Sequence, residues 1–264
     1  MKYVFHALRM QWRCATQYRA SFWMQTLAQL VMSGSELMAV LVLLGRFTSV
    51  GQWSGSEIMF FFGMMQMTFA LTECIGRGLA AFSQVVQGGE FDQILLRPRN
   101  LLVQVLCSRA DPRRLSTAAL GIVLMWLSVT QLGIPWTLGS TVLLLISVAG
   151  TVLLMLLGLF LVEATLCFLS VQSIEAVNIL TYGGRTACEY PVDIYPRPIW
   201  LLFMYVAPFG LCMHVPVSAL LHHPVVDWPA WTAYLAPLAG AMFFLLMALV
   251  WRKVGVKRYC STGS

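Results

Sequence analysis

Residues 141–171 form one continuous apolar run in which Glu163 is the single charged side chain. As a helix rising ~1.5 Å per residue, the run would be about 46 Å long, more than the ~30 Å hydrocarbon core of a bilayer needs. It must therefore tilt or project into the cytoplasm. Four further runs, 22–46, 57–75, 115–132 and 231–250, are each about as long as a span requires. The first is interrupted by Ser33-Gly34-Ser35-Glu36. Only 11% of the residues are charged, against about 25% in soluble domains. A water-soluble core could not hide this much apolar surface, whereas lipid can. The expected class is an all-α polytopic membrane protein of one domain, 1–264, with six crossings.

Hydropathy leaves one region open. Residues 199–221 are long enough to cross, yet they carry Pro208 and Pro216, which break helices or mark re-entrant turns. Residues 173–189 are more polar, with Glu175, Asn178, Gly183, Gly184 and Arg185. Only one of the two segments crosses completely if the basic tail is to return to the cytoplasm. Either 173–189 is the fifth crossing and 190–222 an outer-face re-entrant segment, the arrangement that the prolines and the resemblance given below favour, or 199–221 crosses.

Orientation follows from the basic residues. Lys2, Arg9, Arg13 and Arg19 precede the first run. Arg77, Arg97, Arg99, Arg109, Arg113 and Arg114 lie between the second and third. Arg252, Lys253, Lys257 and Arg258 follow the last. Arg46, Arg185 and Arg197 alone fall elsewhere. Cytoplasmic loops collect Lys and Arg, so both termini and the central loop are expected inside, in a bacterial inner membrane. The net charge of +6 then reflects anchoring at anionic lipid and does not argue for nucleic acid. Residues 1–20 carry spaced cations and lack a compact apolar stretch with a small-residue cleavage site. They read as an interfacial helix, with Val4, Phe5, Leu8 and Trp12 on one face, and not as a cleavable signal.

The central loop contains Gly88-Gly89-Glu90-Phe91-Asp92-Gln93-Ile94-Leu95-Leu96-Arg97-Pro98. Phe91, Ile94 and Leu95 fall at i, i+3 and i+4, a short apolar face suited to docking a cytoplasmic motor. Its plainer reading is an interfacial loop helix with no partner. A second signature is Glu189-Tyr190-Pro191-Val192-Asp193-Ile194-Tyr195-Pro196, followed by Val206-Ala207-Pro208 and His214-Val215-Pro216.

These two stretches resemble membrane subunits of ABC exporters with the six-span, type V architecture, most closely a group of drug- or peptide-type export permeases. The first resembles that family's loop between the second and third spans, which reads Gly, an acidic residue, then Leu-Leu-x-Pro. The second resembles its proline pair before an outer-face re-entrant helix. The resemblance implies a coupling region at 83–105, with Gly88, Glu90, Phe91, Asp92, Ile94, Leu95, Leu96 and Pro98 contacting an ATPase. It also implies an outer gate at Pro191, Pro196, Pro208 and Pro216. The chain has no G-x-x-x-x-G-K-[ST] phosphate loop. ATP and Mg are therefore expected on a separate ATPase, with no cofactor bound here. A second permease chain, identical or related, would complete the path.

Ionisable residues inside spans are costly and point to function by default. Glu36, Glu73 and Glu163 qualify. Glu73 and Arg77 are four apart, a good order for an ion pair, while Glu36 and Glu163 have no evident local partner. The run 59–67, Met-Phe-Phe-Phe-Gly-Met-Met-Gln-Met, offers either a soft lipophilic lining or ordinary packing. His214, His222 and His223 lack Cys or carboxylate ligands at metal-binding spacing, so no metal is expected. Cys188 and Cys212 are the cysteines that could both lie near the outer face, where a disulfide is one reading. Two rival classes remain: a proton-coupled secondary transporter using Glu36 or Glu163, and a membrane-embedded enzyme. The first wants repeat symmetry and the second a clustered polar motif; neither is visible.

Overall fold

The computed structural model describes residues 2–46, 49–133, 139–168, 175, 177–223, 231–235 and 237–259. Helix α1 (Lys2–Thr16) leads, after a break at residues 17–18, into α2 (Arg19–Arg46). The Ser33–Glu36 interruption expected in this span is absent: the helix is continuous, because one glycine and two serines weaken a helix without ending it. A tight hairpin, β1 (Ser49–Val50) and β2 (Trp53–Ser54), then turns the chain. Helix α3 (Gly55–Ala80) begins at a capping box: Glu57 Oε2 accepts from the Ser54 backbone N–H at 2.7 Å and from its hydroxyl at 2.8 Å.

The chain then folds into three short helices, α4 (Phe82–Gln87), α5 (Glu90–Leu95) and α6 (Leu101–Leu106). The long apolar helices α7 (Leu115–Leu132) and α8 (Gly139–Leu166) follow. A π turn, Ile179–Gly183, runs into α9 (Gly184–Ala187). Helix α10 (Arg197–Leu201) extends through a π turn, Leu202–Val206. After Pro208, a second π turn, Gly210–His214, leads to α11 (Val215–Leu220). Helices α12 (Thr232–Leu235) and α13 (Pro237–Val250) complete the bundle, and α13 continues through a π turn, Trp251–Gly255.

Among the described residues, five helices are long and apolar enough to cross a membrane. The pair Arg197–Val206 and Gly210–Leu220, bent by 80°, makes a sixth if it counts as one span. The expected fifth crossing, 173–189, lies partly outside the described residues. Its described continuous helical part, 177–187, is about 17 Å long at ~1.5 Å per residue, roughly half a hydrocarbon core.

Helix α3 is the hub. It packs along α7 and α8, and α8 packs against α13. The α3–α7 crossing is close because Gly63 and Gly121 face each other across it. A Cβ on Gly63 would lie 2.9 Å from the Gly121 carbonyl oxygen, and one on Gly121 would lie 2.6 Å from the Met67 nitrogen. Small residues let membrane helices approach to backbone contact. Of the Met/Phe run, Phe60, Phe61, Phe62, Met64 and Met65 are fully buried in the main core, so packing and not a lipophilic lining is its role. Cys188 and Cys212 are buried free thiols, and the disulfide weighed above is not formed.

Candidate functional site

A cavity of about 310 Å³ opens between α2, α3 and α7, and Glu36, Gln66, Arg114, Thr117 and Arg185 lie on its wall. Glu36 comes from the middle of α2 and Gln66 from the middle of α3. Arg185 comes from α9, far along the chain. Glu36 Oε2 accepts from Gln66 Nε2 at 2.6 Å and from Arg185 at 2.6 Å. Arg185 also reaches Glu189 at 3.2 Å and stacks over the Phe69 ring at 4.9 Å. Glu36 is thus a paired carboxylate. Sequence spacing could not show this, because its partner is 149 residues away. Several buried polar atoms around the cavity lack a hydrogen-bond partner, among them Thr117 Oγ1 and the Arg114 and Arg185 Nε. A polar cavity at membrane depth, with unfilled hydrogen-bonding capacity, is where a polar solute or water would lower the cost of burial.

The cavity adjoins a charged cluster at the end of α3. Buried Glu73 lies 2.8 Å from Arg114 and 4.0 Å from Arg77. Buried Asp111 holds Arg77 at 3.6 Å and Arg113 at 2.7 Å. The helical neighbour Arg77 is thus the weaker partner of Glu73, and Arg114, from the loop before α7, the closer one. Glu163 on α8 stands apart from both groups and accepts from the Thr181 hydroxyl at 2.6 Å.

The central loop differs from expectation in which way it faces. Gly89 takes φ 69°, a left-handed conformation that suits glycine, and turns the chain into α5. Phe91 is fully buried and Ile94 nearly so. Phe91 packs edge-on against Phe82 and Tyr259, while Asp92 accepts from the Tyr259 hydroxyl at 2.8 Å. Glu90 pairs with Arg109 at 3.3 Å. Of the apolar face of Phe91, Ile94 and Leu95 expected above, the first two members pack into the permease's own core, and Leu95 is exposed. A face apolar at i, i+3 and i+4 says that something covers it, not what. The outward residues are Leu95, Leu96, Arg97 and Pro98, with Leu96 84% exposed, and Gly88 also lies exposed before the turn.

At the opposite end the proline-rich segment is tied to the β-hairpin. The Trp53 indole N–H donates to the Asp193 carboxylate at 3.0 Å, and so does Gln52 Nε2. His214 Nε2 lies 3.5 Å from Asp193, and His223 Nε2 lies 3.2 Å from Glu57. No group of three or more His, Cys, Asp or Glu among the described residues could hold a metal ion. Pro191 and Pro196 adopt extended backbone at the starts of short helices. Pro208 sits in the break at the 80° bend. Pro216 falls where a π turn passes into α11, a widened turn that accommodates the missing N–H. Burial pushes the Tyr195 hydroxyl up to about 12, and it donates to the Ala187 carbonyl at 2.8 Å. Asp193 as an anchor was missed in sequence, because its partners come from a hairpin about 140 residues earlier.

The long apolar helices around a polar, ion-paired interior define a multi-pass α-helical membrane protein of the transport class. Residues 30–263 match the family model for ABC-2 family transporter proteins, and the chain belongs to that family as an ABC transporter permease. No curated protein and no solved structure matches it.

Proposed function

We propose that this chain is the membrane subunit of an ATP-driven exporter in a bacterial inner membrane, with both termini cytoplasmic. A separate ATPase binds ATP and Mg and docks on the 83–105 region, and a second permease chain completes the path. In this reading residues 1–20 lie in the cytoplasmic interface and 190–222 enter from the outer face and return. The observation that carries it is the build of α5: the helix is clamped to the bundle by Phe91 and by the Asp92–Tyr259 bond, yet presents Leu95 and Leu96 outward. A rigidly held helix with exposed leucines on the Arg-rich side can take a push from a partner and pass it to α3 and the C-terminal tail. The polar cavity beside Glu36 and Arg185 is the natural inlet of the path.

The test is co-expression of the tagged permease with an untagged ABC ATPase encoded beside it. Co-purification, and ATP hydrolysis that responds to the permease, is the expected result. An ATPase that neither binds nor responds, together with transport driven by a proton gradient alone, overturns the reading in favour of a secondary transporter.

A further inference from the structure

A second cavity, of about 740 Å³, lies away from the path, where the C-terminal end of α13 meets the loop between α5 and α6. Arg99 and Arg252 are the charged residues on its described wall, and both are exposed. Apart from Asn100, the rest of the wall is largely apolar, formed by Leu101, Leu245 and Leu249 among others, and Leu245 and Leu249 lie half-exposed or more along α13. Trp251 completes the wall. It is 2% exposed, and its indole N–H, which can only donate, has no hydrogen-bond partner. Two guanidiniums on the wall of a largely apolar groove match an amphiphile with an anionic head and hydrocarbon chains.

We infer that this groove is a binding site for an anionic phospholipid, with the phosphate between Arg99 and Arg252 and an acyl chain along Leu245 and Leu249. The depth is right for a lipid: Arg252 closely follows the last apolar helix, at the level where headgroups sit. Basic pockets between helices at the cytoplasmic surface recognise such heads, and guanidinium is suited to phosphate. The inference rests on the topology proposed above only for which leaflet supplies the lipid. A bound lipid would brace the loop that follows α5 against the tail that holds it through Tyr259 and Asp92.

The test uses the full chain, purified in detergent, delipidated, and offered dioleoyl phosphatidylglycerol or dioleoyl phosphatidylcholine before native mass spectrometry. Retention of phosphatidylglycerol should exceed that of phosphatidylcholine by roughly tenfold, since each basic residue near the surface favours anionic lipid. The double variant Arg99→Gln with Arg252→Gln should abolish the preference, and Arg9→Gln with Arg13→Gln, on exposed α1 positions, should keep it. Equal loss in both double variants would reduce the effect to general charge and overturn the site. Displacement by soluble glycerol phosphate at the same concentration as by lipid would also overturn it, because the slot would then take a free phosphate. As a second readout, phosphatidylglycerol brominated on its acyl chains should quench wild-type tryptophan fluorescence more than that of Trp251→Phe. Equal quenching rejects the acyl-chain placement.

Discussion

Arg185 donates to Glu36 at 2.6 Å, joining α9 to α2 across 149 residues of chain. Helix α2 is otherwise largely exposed, with Thr26, Ser33 and Val40 its buried residues. The pair therefore adds a polar tie to a helix whose apolar contacts with the core are few, and Gln66 and Glu189 complete the cluster.

Breaking that pair should be costly. Arg185→Ala leaves Glu36 with Gln66 alone, and should lower stability by about 2 kcal/mol, the scale of a hydrogen bond to a charged group. Glu36→Gln should cost less, since the amide can still accept from Arg185. Thermal unfolding of the purified permease, followed by tryptophan fluorescence, measures both. If Arg185→Ala melts with wild type, the pair is ornamental.

The α3–α7 crossing yields a sharper contrast. Gly121→Ala puts a methyl 2.6 Å from the Met67 nitrogen, where backbone and not a flexible side chain must move. The expected outcome is a clear drop in melting temperature and in the yield of folded protein. Gly34→Ala, with nothing within 4 Å of the added methyl, should be neutral or mildly stabilising, since alanine outranks glycine in a helix by about 1 kcal/mol. Similar behaviour of the two variants would mean that the crossing is looser than described.

Long apolar runs and charge clusters made the membrane class and five of the helices legible from sequence. The expected third span, 115–132, coincides with α7, because apolar length is a local property. What escaped was non-local. Nothing near Glu36 announces Arg185, and nothing near Asp193 announces Trp53. The periodicity at Phe91 and Ile94 was legible as a buried face, but the cover proved to be Phe82 and Tyr259, the latter from the tail. The hairpin 49–54 has no signal in the sequence, since two-residue strands carry no pattern of their own.

The inward turn of α5 separates two effects that one double variant would blur. Phe91→Ala empties a fully buried aromatic site and should cost about 3–5 kcal/mol in stability. Leu96→Asp changes an exposed residue and should leave melting unchanged while weakening capture of the ATPase. Melting curves and co-purification yields, taken together, check both. Loss of ATPase from Phe91→Ala with unaltered melting, alongside full capture by Leu96→Asp, would put the docking face back on Phe91.

The last prediction concerns which side of the membrane holds residues 190–222. Pro191, Pro196 and Pro198 keep the backbone extended or starting short helices, and Pro208 lies at an 80° bend. A straight lipid-exposed helix could not satisfy the carbonyls freed at such positions. Asp193 binds Trp53 in the hairpin between α2 and α3, so this segment and that hairpin must share one side. The hairpin follows the first span and has no Lys or Arg between residues 47 and 76, which places it outside by the charge rule. Arg197 is exposed and should follow it there, against the charge preference of a single residue. In a background with its seven native cysteines replaced, Arg197→Cys should react with a membrane-impermeant maleimide added to intact cells. In the same background Ser264→Cys should react only after permeabilisation. The reverse pattern, with Arg197→Cys protected until the membrane is opened, would turn the whole bundle over and move the α5 surface away from any cytoplasmic ATPase.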